Sequence, residues 1–186
     1  MKVTRERAAA HREQVLDAAG TLFRERGYDG VGVADIMKRA GMTHGGFYGH
    51  FASKEDLAAE ITARILGREA WLERLTGTPT PSLAEVVRSY LSPAHRDNAG
   101  HGCLFAAVGS DVVRQPRSVR RAFTDGLRLR IKALQSVLPG RAAANRRQAL
   151  VTMAGLIGAL ILARAVDDPA LSDEILEVAA GSLGRS

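Results

Sequence analysis

The chain has 186 residues, with 26 Lys and Arg against 20 Asp and Glu, for a formal net charge of +6. That length can bury a real core as one compact unit or as two closely packed helical parts. A single Cys excludes an internal disulfide framework and fits a reducing cytoplasm, where the protein is expected to reside. No uncharged apolar run approaches about 18 residues, so no membrane span is expected, and the start MKVTRERAAAHRE lacks the apolar stretch and cleavage site of a secretory leader.

In chain order, the first helix is expected from Thr4 or Arg7 to Arg26, with Val15, Leu16, Ala19, Leu22 and Phe23 turned inward and Gly27 ending it. Ala34, Ile36, Met37 and Ala40 then fall on one helical face, with Gly32 as a weak N-cap and Gly41 at the left-handed position after the last turn. Thr43 is placed to cap a short helix from His44 to about His50. Phe47 and Phe51, spaced i and i+4, face inward and leave His44, Tyr48 and His50 outside. Ser53-Lys54-Glu55-Asp56 is close to a capping box, with Asp where Glu or Gln is usual. It opens a helix that carries Leu57, Ile61, Ile65, Leu66 and Leu72 toward Thr76.

Residues 76–81, TGTPTP, are the clearest linker. Ser82 caps a helix bearing Leu83, Val86, Val87, Tyr90 and Leu91. Pro93 to Gly102 reads as irregular. Helices are then expected from Leu104 to Arg114, from Val119 to Leu138 (stopped by Pro139-Gly140) and from Ala142 to Val166. Asp167-Asp168-Pro169 ends that last one, and Ser172 caps a final helix with Ile175, Leu176, Val178, Ala179 and Leu183. No strand pattern occurs, so an all-α chain of about nine helices is expected.

The stretch GVADIMKRAGMTHGGFYGHFASKEDL, residues 32–57, has the order of a helix-turn-helix followed by a capped third helix. With Leu22, Phe23 and Gly27-Tyr28 ahead of it, it resembles the DNA-binding domain of TetR/AcrR-type transcriptional regulators. The matching residues are Val33, Asp35-Ile36, Ala40-Gly41, Phe47-Tyr48, His50-Phe51 and Ser53 to Leu57. The resemblance implies a helix-turn-helix domain over 1–52 and a helical effector-binding and dimerisation domain over 53–186. It also implies a homodimer on a palindromic double-stranded operator, most commonly as a repressor released by a small-molecule effector, with no cofactor.

Carried over by position, the resemblance puts Thr43 and His44 at the start of the recognition helix, and Tyr48, His50 and Lys54 on the DNA backbone. Gly32, Val33 and Arg39 contribute from the preceding helix. Gly45, Gly46 and Gly49 depart from the pattern, because many relatives carry longer side chains there. Glycine offers no side chain to a base edge, which points to close backbone approach and some reliance on groove shape. Charge does not mark this end: residues 1–60 hold nine Lys/Arg and nine Asp/Glu. The excess lies between Arg114 and Arg147, where ten basic residues face Asp125 alone. Arg120, Arg121, Arg128 and Lys132 can share one surface there: a solvated face, a site for an acidic partner, or a flank near phosphates.

For dimerisation, Gly155, Gly158 and Ala159 allow a second helix to approach closely, and Leu156, Leu160, Leu176 and Leu183 supply burial. Trp71, Tyr90, Phe105, Phe123 and Met153 are candidate effector-pocket residues, each also an ordinary core residue. Cys103, after His101-Gly102 and at a helix start, reads either as a packing Cys or as a reactive thiol whose pKa is lowered by the helix dipole and a nearby imidazolium. The alternatives are therefore a redox- or electrophile-sensing regulator, or an apolar-ligand carrier that does not bind DNA. His95, Asp97, His101 and Cys103 match no zinc spacing. Neither a Gly-x-Ser-x-Gly elbow nor a phosphate loop is present to support an enzyme.

Overall fold

The computed structural model describes residues 5–68, 79–138 and 141–185. The described residues form nine α-helices and three short 3₁₀ segments, with no strand among them. The amino-terminal part comprises α1 (Arg5–Arg26), α2 (Val33–Arg39), a 3₁₀ turn (His44–Gly49) and α3 (Lys54–Arg68). Then come α4 (Leu83–Tyr90), α5 (Pro93–Asp97), α6 (Leu104–Val108), α7 (Arg117–Ser136), α8 (Ala142–Ala165) and α9 (Pro169–Leu183). The expected run of α3 to Thr76, with Trp71 and Leu72, lies outside the described residues, as does the Pro139-Gly140 stop.

Helix α1 buries the stripe its sequence spacing predicts, with Val15, Leu16, Ala19 and Phe23 fully enclosed. Tyr28 follows it into the core. Burial pushes its phenol up to about 12, so it stays protonated and donates to Thr62 Oγ1 at 2.6 Å, which in turn donates to Ala58 O at 2.6 Å. This chain of bonds fixes the loop after α1 to the middle of α3. Helix α3 also packs along α7. A Cβ on Gly126 of α7 would lie 2.4 Å from Leu66 Cβ, so only glycine allows the two helices to come this close.

Helix α8 packs between α7 and α9. By length and composition alone it is apolar enough to cross a membrane. Here it is the central helix of the carboxy-terminal part, burying Ala149, Met153, Leu156 and Leu160 at helical spacing.

Three local expectations change. Residues 93–102 are not irregular. Ser92 Oγ accepts from His95 N at 3.3 Å and opens α5, and a 3₁₀ segment follows at Ala99–His101. The expected helix 104–114 stops at Val108 and resumes as a 3₁₀ turn, Val112–Arg114, with the Asp111 carboxylate turned toward Gly27 at the end of α1. The cap of α9 is Asp168, whose Oδ1 accepts from Ala170 N at 2.9 Å and Leu171 N at 3.2 Å, with Pro169 in the first turn. Ser172 is inside that helix and buried, donating to Ala163 O at 2.6 Å.

Candidate nucleic-acid interface

Helix α2 is short and sharply bounded. At its start Asp35 Oδ2 accepts from Gly32 N at 2.9 Å. At its end Gly41 takes φ +72°, Gly41 N donates to Lys38 O at 3.1 Å, and Met42 N reaches back to Met37 O at 2.9 Å. These two bonds, closed over a left-handed residue, make the tight stop that reverses the chain. Ile36 and Met37 carry the burial, whereas Ala34 is exposed; a helix of seven residues has room for only a one-turn stripe.

The segment expected as a short α-helix is a 3₁₀ turn, with Gly46 N donating to Thr43 O at 3.0 Å and His50 N to Phe47 O at 2.9 Å. Thr43 precedes it but makes no side-chain cap bond, which corrects its expected role. With three glycines in six residues, little intrinsic helix preference holds this piece. Phe47 does so instead: it is fully buried, with its ring 5.5 Å from that of Phe51. Thr43, His44, Gly45, Gly46 and Tyr48 are exposed, His50 and Val33 half-buried. Tyr48 stands out at 64% exposed, with His44 at its edge, 6.2 Å between ring centroids. Nothing lies within 4 Å of a Cβ built on Gly45 or Gly49.

The cations of this part are largely engaged within it. Lys54, expected on a phosphate, donates from Nζ to Tyr28 O and Val31 O, both at 2.9 Å. Two of its three protons therefore tie the start of α3 to the loop entering α2. Arg39 lies 3.5 Å from Glu25. Arg12 pairs with Glu60 and lies over the Phe51 ring, and Arg64 pairs with Glu13.

In the carboxy-terminal part the expected pocket residues fall into two groups. Phe105 and Phe123 meet edge to face at 4.8 Å. Arg130, which spacing alone does not distinguish from its neighbours, is buried with its guanidinium 5.9 Å from the Phe105 ring and 3.5 Å from Leu66 O. Tyr90 and Cys103 instead meet through His95. The His95 ring stacks edge-on to Tyr90 at 4.7 Å, its Nε2 accepts from Cys103 N at 3.0 Å, and its Nδ1 donates to Tyr90 O at 2.6 Å. Met153 is buried on α8.

This pattern requires a neutral His95, and burial, aided by the charge of Arg164, holds its imidazole below the ordinary value. The imidazolium expected beside Cys103 is thus not His95. His101 is exposed and bonded to Asn98 at 3.2 Å. The cation beside the thiol is Arg164, which donates to His95 O at 2.7 Å and Arg96 O at 3.0 Å. Cys103 itself is buried.

A depressed folded-state pKa means that the unfolded chain takes the proton first. The stability His95 contributes is complete above about pH 6.5 and is lost as pH falls below that through the folded value. Melting temperature is therefore expected to drop between about pH 7.5 and about pH 5.5, and to drop less in His95→Gln. An unaltered pH dependence in the variant would contradict this.

The expected dimerisation residues divide. Leu156, Leu160 and Leu176 are buried within the chain itself, because α8 turns that face toward its own core. A Cβ on Gly155 would lie 2.9 Å from Leu183 of α9, so Gly155 serves an approach within the chain. Gly155 and Leu183, together with Gly158 and Ala159, also line a shallow apolar groove of about 640 Å³ between α8 and α9, shared with Leu162, Leu171, Ile175 and Val178. Leu162 and Val178 are 56% and 64% exposed. For dimerisation, sequence spacing named the small residues of this face and Leu183 but not Leu162, Leu171 or Val178, because α8 is apolar on more than one side.

Residues 15–61 match the model of bacterial regulatory proteins of the tetR family. The regulator AcrR of Shigella flexneri is 40% identical over 58 residues, covering 31% of this chain and 27% of that protein. The transcriptional repressor KstR2 of Rhodococcus jostii is 45% identical over 58 residues, covering 31% and 28%. The chain thus spans little more than a quarter of the length of these two relatives. The fold extends further: the crystal structure of Escherichia coli NemR in its reduced form superposes with a TM-score of 0.77 at 24% identity, over 95% of this chain and 96% of that one. The matched residues run from the middle of α1 through the Gly41 turn and the 3₁₀ turn into α3, and over this segment the chain carries the amino-terminal domain of the tetR family of bacterial regulatory proteins.

Proposed function

We propose that the protein is a dimeric, sequence-specific DNA-binding transcriptional regulator, acting as a repressor that a small molecule releases. The observation that carries this reading is the turn after Gly41, which holds Thr43, His44 and Tyr48 in solvent while Phe47 anchors it from below. An element of this size, standing out from the body, can enter a major groove about 12 Å wide. Residues 1–52 would read DNA and 53–186 would pair and sense. The apolar groove between α8 and α9 is the face that would meet a two-fold partner. The similarity to KstR2, a transcriptional repressor, and AcrR, a transcriptional regulator, supports the same reading.

The test is to recover duplexes bound by the purified protein from fragmented genomic DNA. Enriched fragments should share two inverted half-sites separated by one helical turn or a multiple of it. Recovery of fragments without a common sequence would remove the sequence-specific reading, and recovery of none would leave the ligand carrier in its place.

A further inference from the structure

The basic excess of this chain lies on α7. Arg117, Arg120, Arg121, Thr124, Asp125 and Arg128 line one open groove of about 600 Å³, and all six are exposed. Asp125 is the sole acid there, 3.0 Å from Arg128 and 4.0 Å from Arg121.

The position of this surface matters more than its charge. Gln115 Nε2 donates to Asp29 Oδ1 at 2.9 Å, and Arg114 Nε lies 3.7 Å from Asp29 Oδ2. The start of α7 is therefore tied to the loop between α1 and α2. The same loop supplies Val31 O to Lys54 at the start of α3 and leads into Gly32 at the start of α2. The amino-terminal end of α7 thus sits beside the loop that leads into α2 and is itself held to Lys54, where the chain leaves the recognition turn for α3. From Arg117 to Arg128 the helix rises about 16 Å, the axial length of about five base pairs. The amino-terminal part itself brings no net charge, with nine cations and nine anions in residues 1–60, and Lys54, Arg12 and Arg64 are engaged internally.

Resting on the DNA-binding reading above, we propose that the arginine face of α7 is an auxiliary phosphate-gripping surface, engaging the duplex backbone that flanks the bases under the recognition turn. Guanidinium groups suit this task because they can meet a phosphate with two parallel bonds. Contacts of this kind add affinity and salt dependence without reading sequence.

The experiment compares wild type, Arg117→Gln/Arg120→Gln/Arg121→Gln/Arg128→Gln and Asp125→Asn on a genomic duplex recovered by wild type and on a scrambled duplex of equal length, across a salt series. Thermal melting and sedimentation first establish that each variant is folded and keeps the wild-type assembly. The quadruple variant is expected to bind both duplexes at least about tenfold more weakly at 0.1 M salt, with the log–log salt slope reduced by about two. The ratio between the duplexes should stay unchanged. Asp125→Asn should move affinity and slope the other way, which keeps the test open if the quadruple variant does not fold. Unchanged affinity and slope would overturn the proposal and turn the face toward an acidic protein or ligand. A loss confined to the recovered duplex would also overturn it, by making these arginines base readers. If wild type recovers no duplex at all, the DNA-binding reading itself has failed.

Discussion

Aspartate at both Leu162 and Val178 is expected to leave a folded single chain that binds DNA at least about a hundredfold more weakly than wild type. Both side chains are more than half exposed in the isolated chain, so their replacement removes little of its own core. On the face between α8 and α9, however, each would place a carboxylate in an apolar contact with its two-fold mate, where burying an unpaired charge is costly. One head on one half-site loses the effective-concentration gain that linkage provides. Sedimentation should show a monomer, melting should remain cooperative, and a gel shift should show the loss. A stable dimer that binds DNA normally would place the interface elsewhere.

Phe47→Ala is expected to be the most damaging single change in the amino-terminal part. The residue is fully buried, and truncating a buried Phe typically costs about 3–5 kcal/mol, a large share of the roughly 5–15 kcal/mol that holds a domain together. The turn it anchors has few other supports. Its ring contacts are Phe51 at 5.5 Å and Tyr48 at 5.3 Å, and its backbone bonds close only one or two turns. The variant should melt well below wild type and lose DNA binding, yet still dimerise through α8 and α9. Melting curves followed beside sedimentation check this. A variant with wild-type melting would show that the turn is held by something other than its aromatic anchor.

The helix-turn-helix was legible because its signals are local. Gly41 needs a left-handed backbone, Phe47 and Phe51 share a face, and Ser53 accepts from Asp56 N at 3.1 Å to start α3. The form of the recognition element was less so. Glycine at three of six positions removes the side chains that distinguish an α-helix from a 3₁₀ turn, and packing at Phe47 decides the outcome. Lys54 looked like a phosphate ligand by position, but its partners, Tyr28 O and Val31 O, lie more than twenty residues away in sequence and become neighbours only in the fold.

The carboxy-terminal part was legible as helices but not as faces. Helix α8 is apolar nearly all round, so periodicity cannot say which leucines meet their own core and which meet a partner. Leu156 and Leu160 took the first role, and Leu162, just past them, was left exposed. The cap of α9 shows the same limit on a smaller scale. Asp168 and Ser172 are both good N-cap residues; Pro169 favours the earlier start, and Ser172 is then drawn inward to Ala163 O. Arg130 lies among exposed arginines on one helix, and only the packing of Phe105 and Leu66 around it sets it apart.

On the DNA-binding reading proposed above, the chain meets its operator by laying the backbone of its 3₁₀ turn against the duplex. A gel-shift titration of wild type and Gly45→Ala/Gly49→Ala on a recovered genomic duplex and its scrambled counterpart, beside their melting curves, decides whether it does. Neither glycine has a positive φ, and a Cβ at either would meet nothing in the chain. The fold therefore tolerates alanine there, which should be neutral or stabilising by up to about 1 kcal/mol per site. The predicted result is a variant at least as stable as wild type that binds the recovered duplex more weakly and discriminates less between the two. A variant with equal affinity and equal discrimination would contradict the claim.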